Sequence, residues 1–163
     1  MKKSLRKNLV KLMVGGAEYA VFADCSAIED ETEFLNLLAG WLIENSSIFH
    51  LSATGVSAKK CINLGRKVKT LCAQFDRPLV VEGRTDIALA LEAEGVFLKE
   101  EDVSASLVKE ILGDNILLGS NLLKEKDSFD YVCLEYAPAS GLATPIFCYE
   151  KNISPTIKVF KKF

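Results

Sequence analysis

A chain of 163 residues is long enough for one well-cored domain and too short for two comfortable ones. With 49% apolar and 26% charged residues it has ordinary globular composition, and a formal net charge of −2 argues against a general attraction to nucleic acid or anionic membrane. Five cysteines without a CxxC pair, and a single histidine, give no zinc spacing.

The first predicted element is an amphipathic helix over 4–15, with Leu5, Leu9, Val10 and Met13 at helical spacing and Gly15-Gly16 as its stop. A basic start before an apolar stretch has the outline of a secretory leader. Here Lys11 and Glu18 interrupt the stretch, and Asp24 before Cys25 is wrong for lipoprotein cleavage, so a reducing cytoplasm is expected. No run reaches the ~18–20 apolar residues of a membrane span. Basic residues gather at both ends, Lys2 to Lys11 and Lys158 to Lys162, as solvated termini or, on a sharper reading, a phosphate-seeking surface.

An apolar strand over 19–23 follows. Asp30 and Glu33 suit a helix start, and Phe34, Leu37, Leu38, Trp41 and Leu42 form its stripe. Residues 48–51 are the second strand, and Val56, Cys61, Leu64, Val68, Leu71 and Cys72 make the next helical stripe. Strand three spans 79–81 with a helix over 87–91, and strand four spans 96–98. Ser104 caps a helix carrying Leu107, Val108, Ile111 and Leu112, closed by Gly113. Residues 116–118 and 131–134 are strands five and six, with room between them for only a ragged helix over 122–128. Continuous apolar strands of this kind mark a parallel sheet covered on both faces.

Six strands alternating with helices leave an open doubly wound sheet or a (β/α)8 barrel, and no G-x-G-x-x-G follows the first strand. The end is anomalous. Residues 146–149 and 157–160 look like strands seven and eight, but the five residues KNISP between them cannot hold a crossover helix. The two therefore form a hairpin or belong to different surfaces, and the chain is about one βαβ unit short of a full barrel.

Two stretches carry a family resemblance. After strand three the chain reads Val81-Glu82-Gly83-Arg84-Thr85-Asp86-Ile87-Ala88, and at strand four Gly95-Val96-Phe97-Leu98-Lys99-Glu100-Glu101-Asp102. These resemble Ile-Asn-Asp-Arg-Val-Asp-Leu-Ala and Gly-Val-His-Leu-Gly-Gln-Glu-Asp of the thiamine-phosphate synthase and thiazole tautomerase family, over about 90 residues, 48–134. The resemblance implies one α/β domain over 1–163, a TIM-barrel-like (β/α)8 irregular in 137–163. It also implies, if the protein is active, a magnesium-using transferase that joins a pyrimidine pyrophosphate to a thiazole phosphate at the C-terminal mouth and releases pyrophosphate.

The departures fall on the chemistry. The family's first metal carboxylate falls on Gly83, which has no ligand atom; the second falls on Asp102. The Gln and Arg ending strand two fall on His50, Ser52 and Thr54, and the strand-four His becomes Phe97. Gly-x-Ser becomes Gly119-Ser120-Asn121, the Thr-x-Thr-Lys loop is vestigial in 137–144, and the Gly-Gly-Ile phosphate loop becomes Glu150-Lys151-Asn152-Ile153. Magnesium needs hard oxygen ligands, and a glutamate in a phosphate loop repels the anion. Glu82 is a substitute ligand one residue early, which strand alternation turns away.

The candidate residues each carry a plainer reading beside the functional one. His50 is the one side chain with an ordinary pKa near neutrality, for acid–base work, or else a hydrogen-bonded core histidine. Arg84 is a ligand contact or half of a structural pair with Asp86. Asp102 and Glu100 are metal ligands, or a helix-start partner and a solvated turn. Ser120, Asn121 and Lys151 are phosphate contacts by position. Cys25 has no basic neighbour to activate it. The expectation is a family member with a degenerate site and little synthase activity, binding a small phosphorylated molecule or a partner, with no nucleic acid or membrane partner. An active thiamine-biosynthesis enzyme with an altered, magnesium-dependent site is the alternative. An open sheet edge at the C-terminus would be covered by a second copy, giving a homodimer.

Overall fold

The computed structural model describes residues 12, 14–122, 128–139 and 144–163. Most of the helix expected over 4–15 and of segment 122–128, and half of the loop 137–144, lie outside the described residues.

Eight strands close into a barrel in sequence order: β1 (Tyr19–Asp24), β2 (Ser47–Ser52), β3 (Leu79–Glu82), β4 (Gly95–Leu98), β5 (Leu117–Ser120), β6 (Tyr131–Leu134), β7 (Ile146–Ser154) and β8 (Ile157–Lys162). Helices α1 (Glu31–Glu44), α2 (Ala58–Gln74), α3 (Thr85–Leu91) and α4 (Ala105–Leu112) follow the first four strands. Three helix starts are written locally. Asp30, Ser57 and Ser104 each accept a backbone N–H three residues on, from Glu33, Lys60 and Leu107, at 3.0, 3.2 and 3.3 Å. The stripes are less uniform than their spacing promised. Val108 of α4 is buried, whereas Leu107 and Ile111 are exposed.

Strand alternation divides the apolar residues between two layers. Val21, Phe49, Leu79, Val81, Val96 and Leu118 face the helices and pack with Leu38, Leu42, Val68 and Ile87. Their neighbours Ala20, Ile48, Val80, Phe97, Leu117, Tyr131, Phe147 and Phe160 fill the barrel interior. Val14 and Ala17, just before β1, belong to that interior layer.

The C-terminal anomaly resolves as a reversal. Strands β1 to β7 run parallel, while β8 is antiparallel to both β7 and β1. A parallel return needs a crossover of a dozen or more residues, and an antiparallel one needs only a turn. Pro155 and Thr156 make that turn, with the Thr156 N–H donating to Ser154 Oγ at 3.2 Å. The residues KNIS, expected as a connection, instead prolong β7, with register shifts between Tyr149 and Lys151 and between Asn152 and Ser154. The chain thus completes the ring without the missing βαβ unit. Closure also removes the open sheet edge on which the expected homodimer rested. Among the described residues, no helix is long and apolar enough to cross a membrane.

Candidate active site at the barrel mouth

The C-terminal ends of the strands surround a cavity of about 430 Å³. Its floor is the Phe22 ring, and its charged wall is Asp24, Glu82, Lys99 and Lys158, with Ser52 and Thr54 between. Each of these charges continues the inward register of its strand by one step: Phe22 to Asp24, Val80 to Glu82, Phe97 to Lys99, and Phe160 to Lys158 on the reversed β8. A polar residue two places beyond an interior apolar one was the signal in the sequence, and strand-end reading from apolar runs passed over it.

Three of the four charges are ion-paired. Lys99 Nζ lies 2.5 Å from Glu82 Oε1, with Glu82 mostly buried and Lys99 half-exposed. Hydrogen bonding to Glu82 raises the Lys99 pKa, so the ammonium form is favoured. Lys158 Nζ lies 2.6 Å from Glu135 Oε1 and 4.9 Å from the Tyr149 ring centroid. Asp24 accepts the Ser26 N–H at 2.9 Å and its hydroxyl at 2.8 Å. Two carboxylates and two ammonium groups line the cavity, so their formal charges cancel.

Beneath the floor lies a closed aromatic layer. The His50 ring stacks on Phe22 at 3.9 Å between centroids and 10° between planes, with Phe97 edge-on at 5.4 Å. His50 Nδ1 lies 3.1 Å from the Val21 carbonyl oxygen and Nε2 2.6 Å from the Tyr131 hydroxyl. A carbonyl only accepts, so Nδ1 carries the proton and Nε2 accepts from the Tyr131 O–H. His50 has no exposed surface, and burial lowers its pKa from 6.5 to about 3. The histidine considered for acid–base work thus sits in the interior as a neutral, doubly bonded ring, one step below the mouth.

The other sequence candidates also stand apart from the cavity wall, and none of the seven lines it. Arg84 donates to both carboxylate oxygens of Asp86, at 3.0 and 2.9 Å, which holds the Asp86 carboxyl below its usual range. Ser120 is fully buried, its hydroxyl donating to the Leu98 carbonyl at 2.7 Å and accepting the Leu122 N–H at 3.1 Å. Asn121 and Lys151 are exposed, the latter on the outer part of β7. Glu100 is exposed in the turn after β4, and Asp102 closes that turn by accepting the Lys99 N–H at 2.8 Å.

Glu82 reverses an expectation. It was expected to turn away from the site, yet it is the residue that enters the mouth. It stands two places beyond the inward-facing Val80, so alternation turns it into the mouth, and Gly83 at φ +71 ends the strand after it. A Cβ built on Gly83 would lie 3.2 Å from Asp102 Oδ1. The two positions that carry the family's carboxylates are therefore adjacent in space, and one is empty of ligand atoms. Magnesium asks for near-octahedral oxygen donors. Gly83 offers none, Asp102 has an oxygen committed to its turn, and Glu82 is committed to Lys99. Among the described residues, no group of three or more His, Cys, Asp or Glu is placed to hold a metal ion. The donors present do not fit the ion.

Residues 19–129 match the family model of thiamine monophosphate synthase. That match begins one strand earlier than the motif resemblance and stops before β6, so the reversed hairpin lies outside it. Thiamine-phosphate synthase of Campylobacter jejuni (strain RM1221) is 38% identical over 96 residues, 59% of this chain and 46% of the relative. That of Methanobrevibacter smithii is 32% identical over 111 residues, 64% and 53%. The chain spans about half the length of the curated relatives it matches. The thiamine phosphate pyrophosphorylase structure from Pyrococcus furiosus superposes with a TM-score of 0.60 at 21% identity, over 71% of this chain and 58% of that one, which supports the fold. With the matched region covering β1 through β5 and their helices, this chain belongs to the thiamine monophosphate synthase family.

Proposed function

We propose that this protein is a family member without effective synthase activity, whose barrel mouth binds a small polar ligand. The observation that carries the reading is the pair Gly83 and Asp102. The place for a second carboxylate adjoins Asp102, and a glycine stands in it. Two further features support it. Both ammonium groups of the wall are ion-paired within the protein, which weakens the attraction for a pyrophosphate. Residues 150–153, on which the family's phosphate loop falls, belong to β7 rather than to a glycine loop whose N–H groups converge on phosphate. Transition-state stabilisation of a departing diphosphate requires preorganised cations and donors, and both are reduced here.

Purified protein given the pyrimidine diphosphate, the thiazole phosphate and magnesium is expected to release pyrophosphate no faster than a protein-free control. Formation of thiamine phosphate above that control would overturn the reading.

One observation favours a second reading, an altered thiamine-biosynthesis enzyme of the tautomerase kind. Glu82 and Lys99 form a carboxylate–ammonium couple on the cavity wall, suited in type to moving a proton. Tautomerisation of the thiazole that is lost in Glu82→Gln would select this reading over pure binding.

A further inference from the structure

Cys25 and Cys61, thirty-six positions apart, meet with their sulfurs 3.2 Å apart. Cys25 opens the short 3-10 turn Cys25–Ala27 that follows β1, and Cys61 lies in the first turns of α2. Both have no exposed surface, yet the segments that carry them have exposed neighbours, Ser26 and Ala27 on one side and Thr54, Gly55 and Ser57 on the other. The two segments touch, since a Cβ built on Gly55 would lie 3.8 Å from that of Ser26. A disulfide sets its sulfurs about 2.05 Å apart, so closing the gap takes about 1.2 Å of movement, shared between two segments outside the strand ladder. Cys72, Cys133 and Cys148 are free thiols elsewhere in the fold.

We propose that Cys25 and Cys61 are an oxidisable dithiol that hydrogen peroxide converts into a disulfide, tying the end of β1 to the start of α2 on the rim of the mouth. The Cys61 sulfur attacks one oxygen of the peroxide, the O–O bond breaks, and the leaving oxygen departs as water with the thiol proton. Cys61 is then a sulfenic acid. The Cys25 sulfur attacks it, the S–O bond breaks, and a second water leaves with the Cys25 proton. Two thiols lose two electrons and the peroxide is reduced to two waters.

The surroundings assign the two roles. With Cys25 donating its S–H, the Cys61 thiolate is favoured by that bond and then by the Arg84 guanidinium, which lower its pKa. The same bond and burial push the Cys25 thiol up, so Cys61 is the sulfur oxidised first. Asp24, next to Cys25, lines the cavity, and Ser52 and Thr54 lead into α2, so the bond fixes two segments of the cavity wall. This inference is independent of what the mouth binds.

The test is intact-mass measurement of the full chain after stoichiometric hydrogen peroxide. The expected result is a loss of about 2 Da, reversed by dithiothreitol, with non-reduced digestion yielding one cross-linked species joining the Cys25 and Cys61 peptides. Under the same treatment Cys25→Ser is expected to leave Cys61 as a sulfenic acid that dimedone traps, and Cys61→Ser to leave Cys25 unlabelled. An unchanged mass, or a disulfide joining any other pair, overturns the proposal. Dimedone labelling of Cys25 in Cys61→Ser, with none of Cys61 in Cys25→Ser, overturns the assigned roles. The wild-type measurement stands if either variant fails to fold.

Discussion

Lowering the pH from 6.5 to about 5 is expected to cost this protein roughly 2 kcal/mol of folding stability, nearly all of it through one residue. His50 is the sole histidine of the chain. Its unfolded ring titrates near 6.5, and the folded ring, buried with its Nε2 lone pair occupied by Tyr131, takes up a proton only near pH 3. Between those values the unfolded state binds more protons. The contribution is fully present above pH 6.5 and is lost as pH falls toward 3, at about 1.4 kcal/mol per pH unit. Ordinary carboxylates titrate mostly below about pH 5, so above it the histidine dominates the slope. Urea denaturation across that window should show the slope in the wild type. His50→Phe is less stable overall, since it strands the Val21 carbonyl and the Tyr131 hydroxyl, but it should be flat with pH. Parallel lines for the two proteins would remove His50 as the cause.

The second large effect is expected at Gly119. A Cβ there would lie 2.3 Å from Tyr131 Cζ and 2.6 Å from its hydroxyl oxygen. The ring has no free direction to yield. Tyr131 is fully buried, and its hydroxyl must reach His50. Gly119→Ala therefore either pushes the ring off its hydrogen bond or strains β5, and about 3 kcal/mol of destabilisation is expected. Gly40, on the exposed side of α1, supplies the contrast. Nothing lies within 4 Å of its built Cβ, and Gly40→Ala should stabilise the helix by about 0.5–1 kcal/mol. Denaturant midpoints of the two variants report the comparison directly. A Gly119→Ala protein within about 1 kcal/mol of wild type would mean that the barrel interior is looser than its contacts indicate.

These two predictions bear on function through position. Tyr131, His50 and Phe22 form a continuous plug below the mouth, so the cavity is shallow and its chemistry belongs to the strand-end layer alone. The cavity presents Glu82, Lys99, Asp24 and Lys158, with the histidine below its floor.

Much of the fold was legible from local chemistry. Apolar runs marked eight strands, the side chains of Asp30 and Ser104 start their helices, and the Arg84-x-Asp86 and Gly95-Val96-x-Leu98 patterns led to the family that the matched region shows. Those features are encoded within a few residues, by hydrogen bonds three positions long and by side-chain alternation. The site was less legible because its members come from β1, β3, β4 and β8, and a strand's inward register depends on which face the closed ring turns inside. Lys158 could be placed at the mouth only once β8 was known to run backwards, and Glu82 only once Val80 was seen to face the barrel interior. The meeting of Cys25 with Cys61, and of His50 with Tyr131, is likewise a matter of barrel closure. Periodicity along one strand determines which residues share a face, whereas contacts between distant strands are selected by the packing of the whole ring.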